Sequence, residues 1–211
     1  MKIEFTEIQN WGVNILTLTF VATLFFTSLQ GYTLIKQIGK ITRNKSGKSV
    51  SFVFFSIYTS SALAITIFGL YKSSLALTIN GLLGFISLII LIKLFQFKKI
   101  ERKEKILGLI STLTIPLVII VPQKDILYLI LGLVVLATII SQIVEIWKNR
   151  SSGSVYPGQT IVSIFSSLFW LIYALTANIW PMKIINSISF ILWIALLLSY
   201  LKFREPKDSN S

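Results

Sequence analysis

The two stretches Lys36–Ser51, KQIGKITRNKSGKSVS, and Ser141–Tyr156, SQIVEIWKNRSSGSVY, decide the fold of this chain. Aligned at a spacing of 105 residues, they are identical at 7 of 16 positions. Further along the chain the spacing becomes 106 and pairs Asn80 with Asn186. Similarity at a fixed spacing is the signature of an internal repeat. The sequence therefore predicts two related structural units.

The composition is that of a membrane protein. The 211 residues are 54% hydrophobic and only 13% charged, whereas soluble domains are usually about 25% charged. A water-soluble fold of this size cannot bury so much apolar surface, and a disordered chain would be far more polar. The sequence contains neither His nor Cys, which excludes disulfides and thiolate chemistry and removes the commonest metal ligand.

The apolar residues fall into long runs that can span a bilayer. A transmembrane helix needs about 20 predominantly apolar residues. Seven runs meet this requirement, and they predict an all-α membrane protein. The predicted spans are Asn14–Ile35, Val50–Leu70, Ser74–Phe97, Lys105–Val121, Asp125–Trp147, Gly158–Asn178 and Pro181–Leu201.

The basic residues sort by membrane side. Of the 20 Lys and Arg residues, 16 lie on one side, in or next to the loops after the first, third and fifth spans or at the C-terminal end, and 4 lie on the opposite side. Because basic residues concentrate in the cytosol, the N-terminus is predicted outside and the C-terminus in the cytosol. The net charge of +12 is thus a sign of topology and of contact with the lipid bilayer. A nucleic-acid partner is excluded.

The spans group into two repeats of three helices. We expect a first repeat at residues 14–97, a linker helix with its loops at 98–124, a second repeat at 125–201 and a cytosolic tail at 202–211. Three spans would invert the second repeat, and the linker helix restores its direction. The predicted layout is therefore 3+1+3, with two parallel repeats. A binding site is expected between the repeats, since neither encloses one alone.

The segment after the first helix of each repeat resembles a PQ-loop, and the 3+1+3 layout resembles the SWEET transporters, also known as MtN3/saliva proteins. The chain departs from that pattern because Lys36 and Ser141 stand where the Pro of the Pro-Gln pair is expected. The resemblance implies facilitative transport of mono- or disaccharides by alternating access. It also implies gating or hinge roles for Gln37, Gln142 and Pro157.

A second motif suggests a binding site. The segment Thr78–Gly84 is similar to the Thr-Val-Asn-Gly signature of the SWEET third helix, and the resemblance implies a pocket of Asn80, Asn186, Trp170 and Ser61. At a rise of 1.5 Å per residue, the two Asn lie roughly 8–9 Å from the external helix ends, and the other two roughly 12–14 Å. The four residues are therefore expected in one layer.

Neutral polar chemistry suits a sugar. A carboxamide offers two donors and an acceptor, which match hydroxyl groups, and an indole face can stack on the apolar face of a pyranose. Asn residues also join helices to one another in membranes. Their repeat-related positions beside a Trp favour a binding site over this structural role.

The positions of the charged residues exclude further classes of function. No acidic residue lies at the middle of a predicted span, although proton-driven transporters normally carry one there. Nor can an acid–base pair, a metal cluster or a catalytic triad be assembled. The sequence thus predicts a multi-pass plasma-membrane uniporter that is not an enzyme and needs no cofactor or metal. It leaves open another neutral solute, such as an amino acid or a vitamin, a non-transporting seven-helix receptor, and assembly into a homo-oligomer.

Overall fold

The computed structural model describes residues 4–45, 50–150 and 157–203. Within those ranges the chain forms ten α-helices and no strand. The helices are α1 (Thr6–Gln9), α2 (Ile15–Asn44), α3 (Phe52–Tyr71), α4 (Leu75–Gly81), α5 (Leu83–Phe97), α6 (Arg102–Thr112), α7 (Thr114–Ile120), α8 (Lys124–Asn149), α9 (Pro157–Thr176) and α10 (Trp180–Lys202).

Several helices have the length and composition of membrane spans. Within the described ranges four stretches qualify fully, namely Ile15–Arg43, Phe52–Tyr71, Leu75–Phe97 and Trp180–Lys202, and Thr160–Thr176 is a shorter apolar helix. The four coincide with the first, second, third and seventh predicted spans. The chain is therefore a helical, multi-pass membrane protein. The 3+1+3 layout and the direction of the termini stay predictions.

The third and fourth predicted spans each consist of two helices in the structure. The third divides at Leu82, directly after the Asn80–Gly81 pair. The fourth divides at Leu113. Proline clashes with the carbonyl four residues before it and cannot donate a hydrogen bond. Pro116 therefore ends α6 at Thr112, although the sequence predicted one helix containing this proline.

The chain forms two compact units, Met1–Tyr128 and Leu129–Ser211. In the first unit, α2, α3 and α5 enclose an apolar cluster. The cluster lies at the C-terminal end of α2, the end that carries most of the basic residues of this helix. This cluster excludes water through close packing of branched and aromatic side chains. Its buried members are Ile41, Phe52, Phe55, Ile90, Leu94 and Ile100.

Glycines bring α3 into backbone contact with α4. A Cβ built on Gly81 would lie 2.7 Å from the carbonyl oxygen of Ala62 and would also clash with Thr66. A Cβ on Gly69 would lie 2.5 Å from the amide nitrogen of Thr78. Small residues allow such close approach between membrane helices. The glycines therefore fix the register of α4 against α3.

The helix after the third predicted span is capped at its N-terminus by its own acidic residue. Glu104 accepts a hydrogen bond from the amide of Glu101 at 3.0 Å and one from Lys98 at 3.1 Å. These two bonds, the backbone bond first, hold the pKa of the Glu104 carboxyl below its ordinary value. The basic segment between α5 and α6 thus ends in an ordered helix cap.

The second unit has its own apolar cluster between α8 and α10, formed by Leu136, Ile139, Ile146 and Leu196. Trp147, at the end of the fifth predicted span, donates a hydrogen bond from its indole nitrogen to Ser199 Oγ at 2.9 Å. This bond joins α8 to α10 near one end of the cluster.

We predict that Gly81→Ala destabilises the protein while Gly39→Ala does not. The added methyl group of the first variant would force α4 off the α3 backbone, at a cost of about 1–3 kcal/mol. At Gly39, on exposed α2 surface, a Cβ would meet no atom of the described residues within 4 Å. Thermal unfolding in detergent measures both variants. Equal midpoints would contradict the proposed close packing.

Candidate functional site

Asn80 is half-buried near the end of α4, one residue before Gly81. Its side-chain oxygen Oδ1 accepts a hydrogen bond from Thr27 Oγ1 on α2 at 3.2 Å. Among the described residues its amide nitrogen has no hydrogen-bond partner. Because an amide nitrogen carries two donors, Asn80 can offer both of them to a solute.

Ser61 lies on the part of α3 that packs against this turn. Its neighbour Ala62 contacts Gly81 through the backbone, and Gly81 directly follows Asn80. Ser61 is only 7% exposed. The structure thus brings the predicted residues of the first repeat onto adjoining turns of two helices, without a hydrogen bond between them.

The N-terminal segment holds α4 from its other end. Glu7 is completely buried. Its carboxylate accepts hydrogen bonds from Ser74 Oγ at 3.0 Å and from the amides of Leu75 and Ala76 at 2.9 and 3.1 Å. The first amides of a helix have no partners within the helix, and a negative charge is favourable there. Glu7 therefore anchors the helix that carries Asn80.

Sequence reasoning missed this role of Glu7. It established only that Glu7, like the other acidic residues, does not lie at the middle of a predicted span. The bonded residues are 67 to 69 positions apart in the chain, and no local pattern connects them. A signal was nevertheless present, since an acid before a first span, on the same predicted side as the start of a later helix, is a candidate helix cap.

In the second unit, Trp170 lies on α9 and is only 6% exposed. Its ring meets the Tyr173 ring nearly at right angles, with centroids 5.6 Å apart. Edge-to-face pairs of this kind hold aromatic rings in a defined orientation. The sequence predicted Trp170 as a site residue and did not identify Tyr173, which is fully buried.

Asn186 is half-buried on α10. Its amide nitrogen donates to the carbonyl of Met182, one turn earlier, at 2.9 Å. Within the described ranges its oxygen has no hydrogen-bond donor. Asn186 therefore has a free acceptor, whereas Asn80 has free donors.

The residues predicted to gate transport are not tested by the structure. Gln37 is half-buried on α2. Pro157 is the first residue of α9 and Gln142 lies on α8, but the side chains of both fall outside the described part of the chain. Their roles stay predictions.

The described site residues are neutral, and Lys72 and Asp125 of the first unit form an ion pair. Lys72 at the end of α3 lies 2.8 Å from Asp125 at the start of α8. Over the described residues, no three His, Cys, Asp or Glu side chains are grouped closely enough to hold a metal ion. Amide, hydroxyl and indole groups can bind a neutral solute by hydrogen bonds and stacking.

Comparison with known proteins confirms the resemblance to the SWEET family. Residues 125–208 match the sequence model of the MtN3/saliva family, described as sugar efflux transporter for intercellular exchange. A solved structure of a eukaryotic SWEET transporter matches with a TM-score of 0.65 and 14% identity, over 90% of this chain and 96% of that one. At that identity the match shows the fold. No curated protein sequence matches the chain. The family and the structural neighbour are transporters, not enzymes.

We predict that Glu7→Gln loosens the start of α4. The variant keeps the size of the side chain but replaces an acceptor oxygen by an NH2 group, leaving a buried amide without its partner at a cost of about 1–3 kcal/mol. Hydrogen exchange at Leu75 and Ala76 should accelerate, and the thermal midpoint should fall. Glu4→Gln is the control, since Glu4 is exposed and contacts only Gln9 among the described residues. Unchanged exchange in Glu7→Gln would refute the anchor.

Proposed function

We propose that this protein is a uniporter that moves mono- or disaccharides across the plasma membrane by alternating access. The observation that carries the proposal is Asn80, a half-buried amide in an apolar helix whose two donors are available to a solute. The family match of residues 125–208 supports sugars as the solute class.

The proposed substrate residues are Asn80, Asn186, Trp170 and Ser61. Sugar hydroxyls both donate and accept, so they can pair with the donors of Asn80 and the acceptor of Asn186. Trp170 supplies an apolar surface for a pyranose ring. Ser61, which is small, leaves room for the ring. A small set of polar groups in apolar surroundings is the usual composition of a small-ligand site.

The mechanism follows from the predicted topology. We propose seven spans in a 3+1+3 layout, with the N-terminus outside, and two parallel repeats that rock to open the site alternately to each side. The solute must bind the outward and inward states with similar affinity, because a strong preference would trap one state. Modest affinity is expected. Gln37, Gln142 and Pro157 are proposed to accompany the opening.

Transport is proposed to be passive. Proton-driven transporters use an ionisable group within the membrane. The sequence has no His, and two of the acids on the proposed external side, Glu7 and Asp125, are engaged by helix amides and by Lys72. Neither is available as a proton carrier without loss of these bonds.

A second candidate is transport of another neutral solute, such as an amino acid or a vitamin. It is favoured by Lys36 and Ser141, which replace the Pro of the Pro-Gln pairs. The two candidates share the same fold and differ in the solute that the protein transports.

Counterflow in proteoliposomes tests the proposal. We expect exchange of at least one sugar from a panel of mono- and disaccharides, at a rate independent of a pH gradient. The double variant Asn186→Ala, Trp170→Ala should lose at least about tenfold in rate, because each lost contact is worth about 1 kcal/mol. Asn10→Ala with Trp11→Ala is the matched control, since both residues are exposed near the N-terminus.

Three results would contradict the proposal. Exchange of an amino acid or a vitamin without any sugar would favour the second candidate. Accumulation driven by the pH gradient would refute uniport. The absence of any exchange by folded protein would favour a receptor without transport activity.

A further inference from the structure

We infer that Thr27 is a positioning residue that sets the hydrogen-bonding direction of Asn80, so that the first repeat offers the solute donors rather than an acceptor. The inference rests on the proposed function, because Asn80 must contact the solute for its direction to matter. Thr27 itself does not need to touch the solute.

The bonding of Thr27 differs from that of its neighbours on α2. Threonine hydroxyls in apolar helices usually donate to a carbonyl of their own helix. Thr19 donates to the carbonyl of Ile15, and Thr23 to that of Phe20, each at 2.7 Å. Thr27 instead donates to Asn80 Oδ1 on α4 at 3.2 Å. Among the three buried threonines of α2, this one reaches another helix.

The bond selects one of the two orientations of the Asn80 amide. A hydroxyl has a single hydrogen. When Thr27 gives it to Asn80, the amide oxygen must face α2, and the NH2 group must point away from it. The backbone of this turn is already fixed, because Gly81 packs on Ala62 of α3. Rotation of the terminal amide is then the main freedom left, and the hydrogen bond from Thr27 holds the amide in the observed orientation.

The second repeat has no threonine at the position equivalent to Thr27. At the spacing of 105, the counterpart of Thr27 is Gly132. A Cβ on Gly132 would lie 2.6 Å from Cγ1 of Ile185, the residue before Asn186, so a threonine there would displace the Ile185 side chain. Asn186 instead donates to its own helix through Met182 and leaves its oxygen free. Among the described residues, the two asparagines at equivalent repeat positions therefore leave different groups without a partner. Asn80 leaves its NH2 group and Asn186 its oxygen, and Thr27 accounts for the orientation of Asn80.

Three single variants test the inference in the counterflow assay. Thr27→Val removes the hydroxyl at nearly constant volume, and we expect KM to rise by about 3–10-fold, the effect of one lost hydrogen bond, with little change in kcat. Thr27→Ser keeps the hydroxyl and should restore KM to within about twofold of wild type. Thr23→Val is the control, since that hydroxyl bonds within α2, and its KM should not change.

The thermal midpoint is measured for each variant, so that a general loss of stability is separated from a change in solute affinity. An unchanged KM in Thr27→Val would overturn the inference and leave the proposed function intact. An equal rise in KM for Thr23→Val, or no rescue by serine, would also overturn it. If the wild-type protein exchanged no solute, the proposed function would fail first and the inference with it.

Discussion

The contact between Gly81 and the backbone of α3 is the constraint on which the first unit depends. A residue with any side chain would meet Ala62 and Thr66 at this point. Together with Gly69 of α3, which lies against the backbone of Thr78, Gly81 sets the register of α4 on α3. Close backbone approach lets many weak dispersion contacts form in a setting where lipid gives no hydrophobic drive between helices. The same contact ends α4 and places Asn80 beside the helix that carries Ser61.

Hydrogen bonds from polar groups further fix the position of α4. An unsatisfied polar group in a bilayer costs several kcal/mol, so polar side chains form hydrogen bonds with the partners that the fold brings close to them. Glu7 binds the first amides of α4, and Thr27 binds the amide near its end. A helix of only seven residues is thus held at both ends, and the part of it that stays available to a solute is the NH2 group of Asn80.

The sequence predicted the features that depend on local composition. Long apolar runs produce α2, α3 and α10, and the shared pattern of Lys36–Ser51 and Ser141–Tyr156 predicts the repeat. The candidate site residues were proposed from a family resemblance that starts from the local motif Thr78–Gly84, and their roles stay predictions. Contacts between distant residues could not be predicted in this way. Glu7 and Ala76 are separated by 69 positions and Thr27 and Asn80 by 53, and no periodicity links them. The division of α6 from α7 has a local sequence signal in Pro116, which removes one backbone hydrogen bond of the helix.

The divergence of the two repeats has a physical reason. In the predicted two-repeat layout the same helix order occurs twice, but a sugar, the proposed solute, has no internal symmetry that two identical binding surfaces would match. Thr27 in one repeat and Gly132 in the other change the volume available at the same helix position. That one difference lets Asn80 be fixed by a neighbouring helix and Asn186 by its own helix. In the proposed function, a pair of identical residues therefore supplies donors from one predicted repeat and an acceptor from the other.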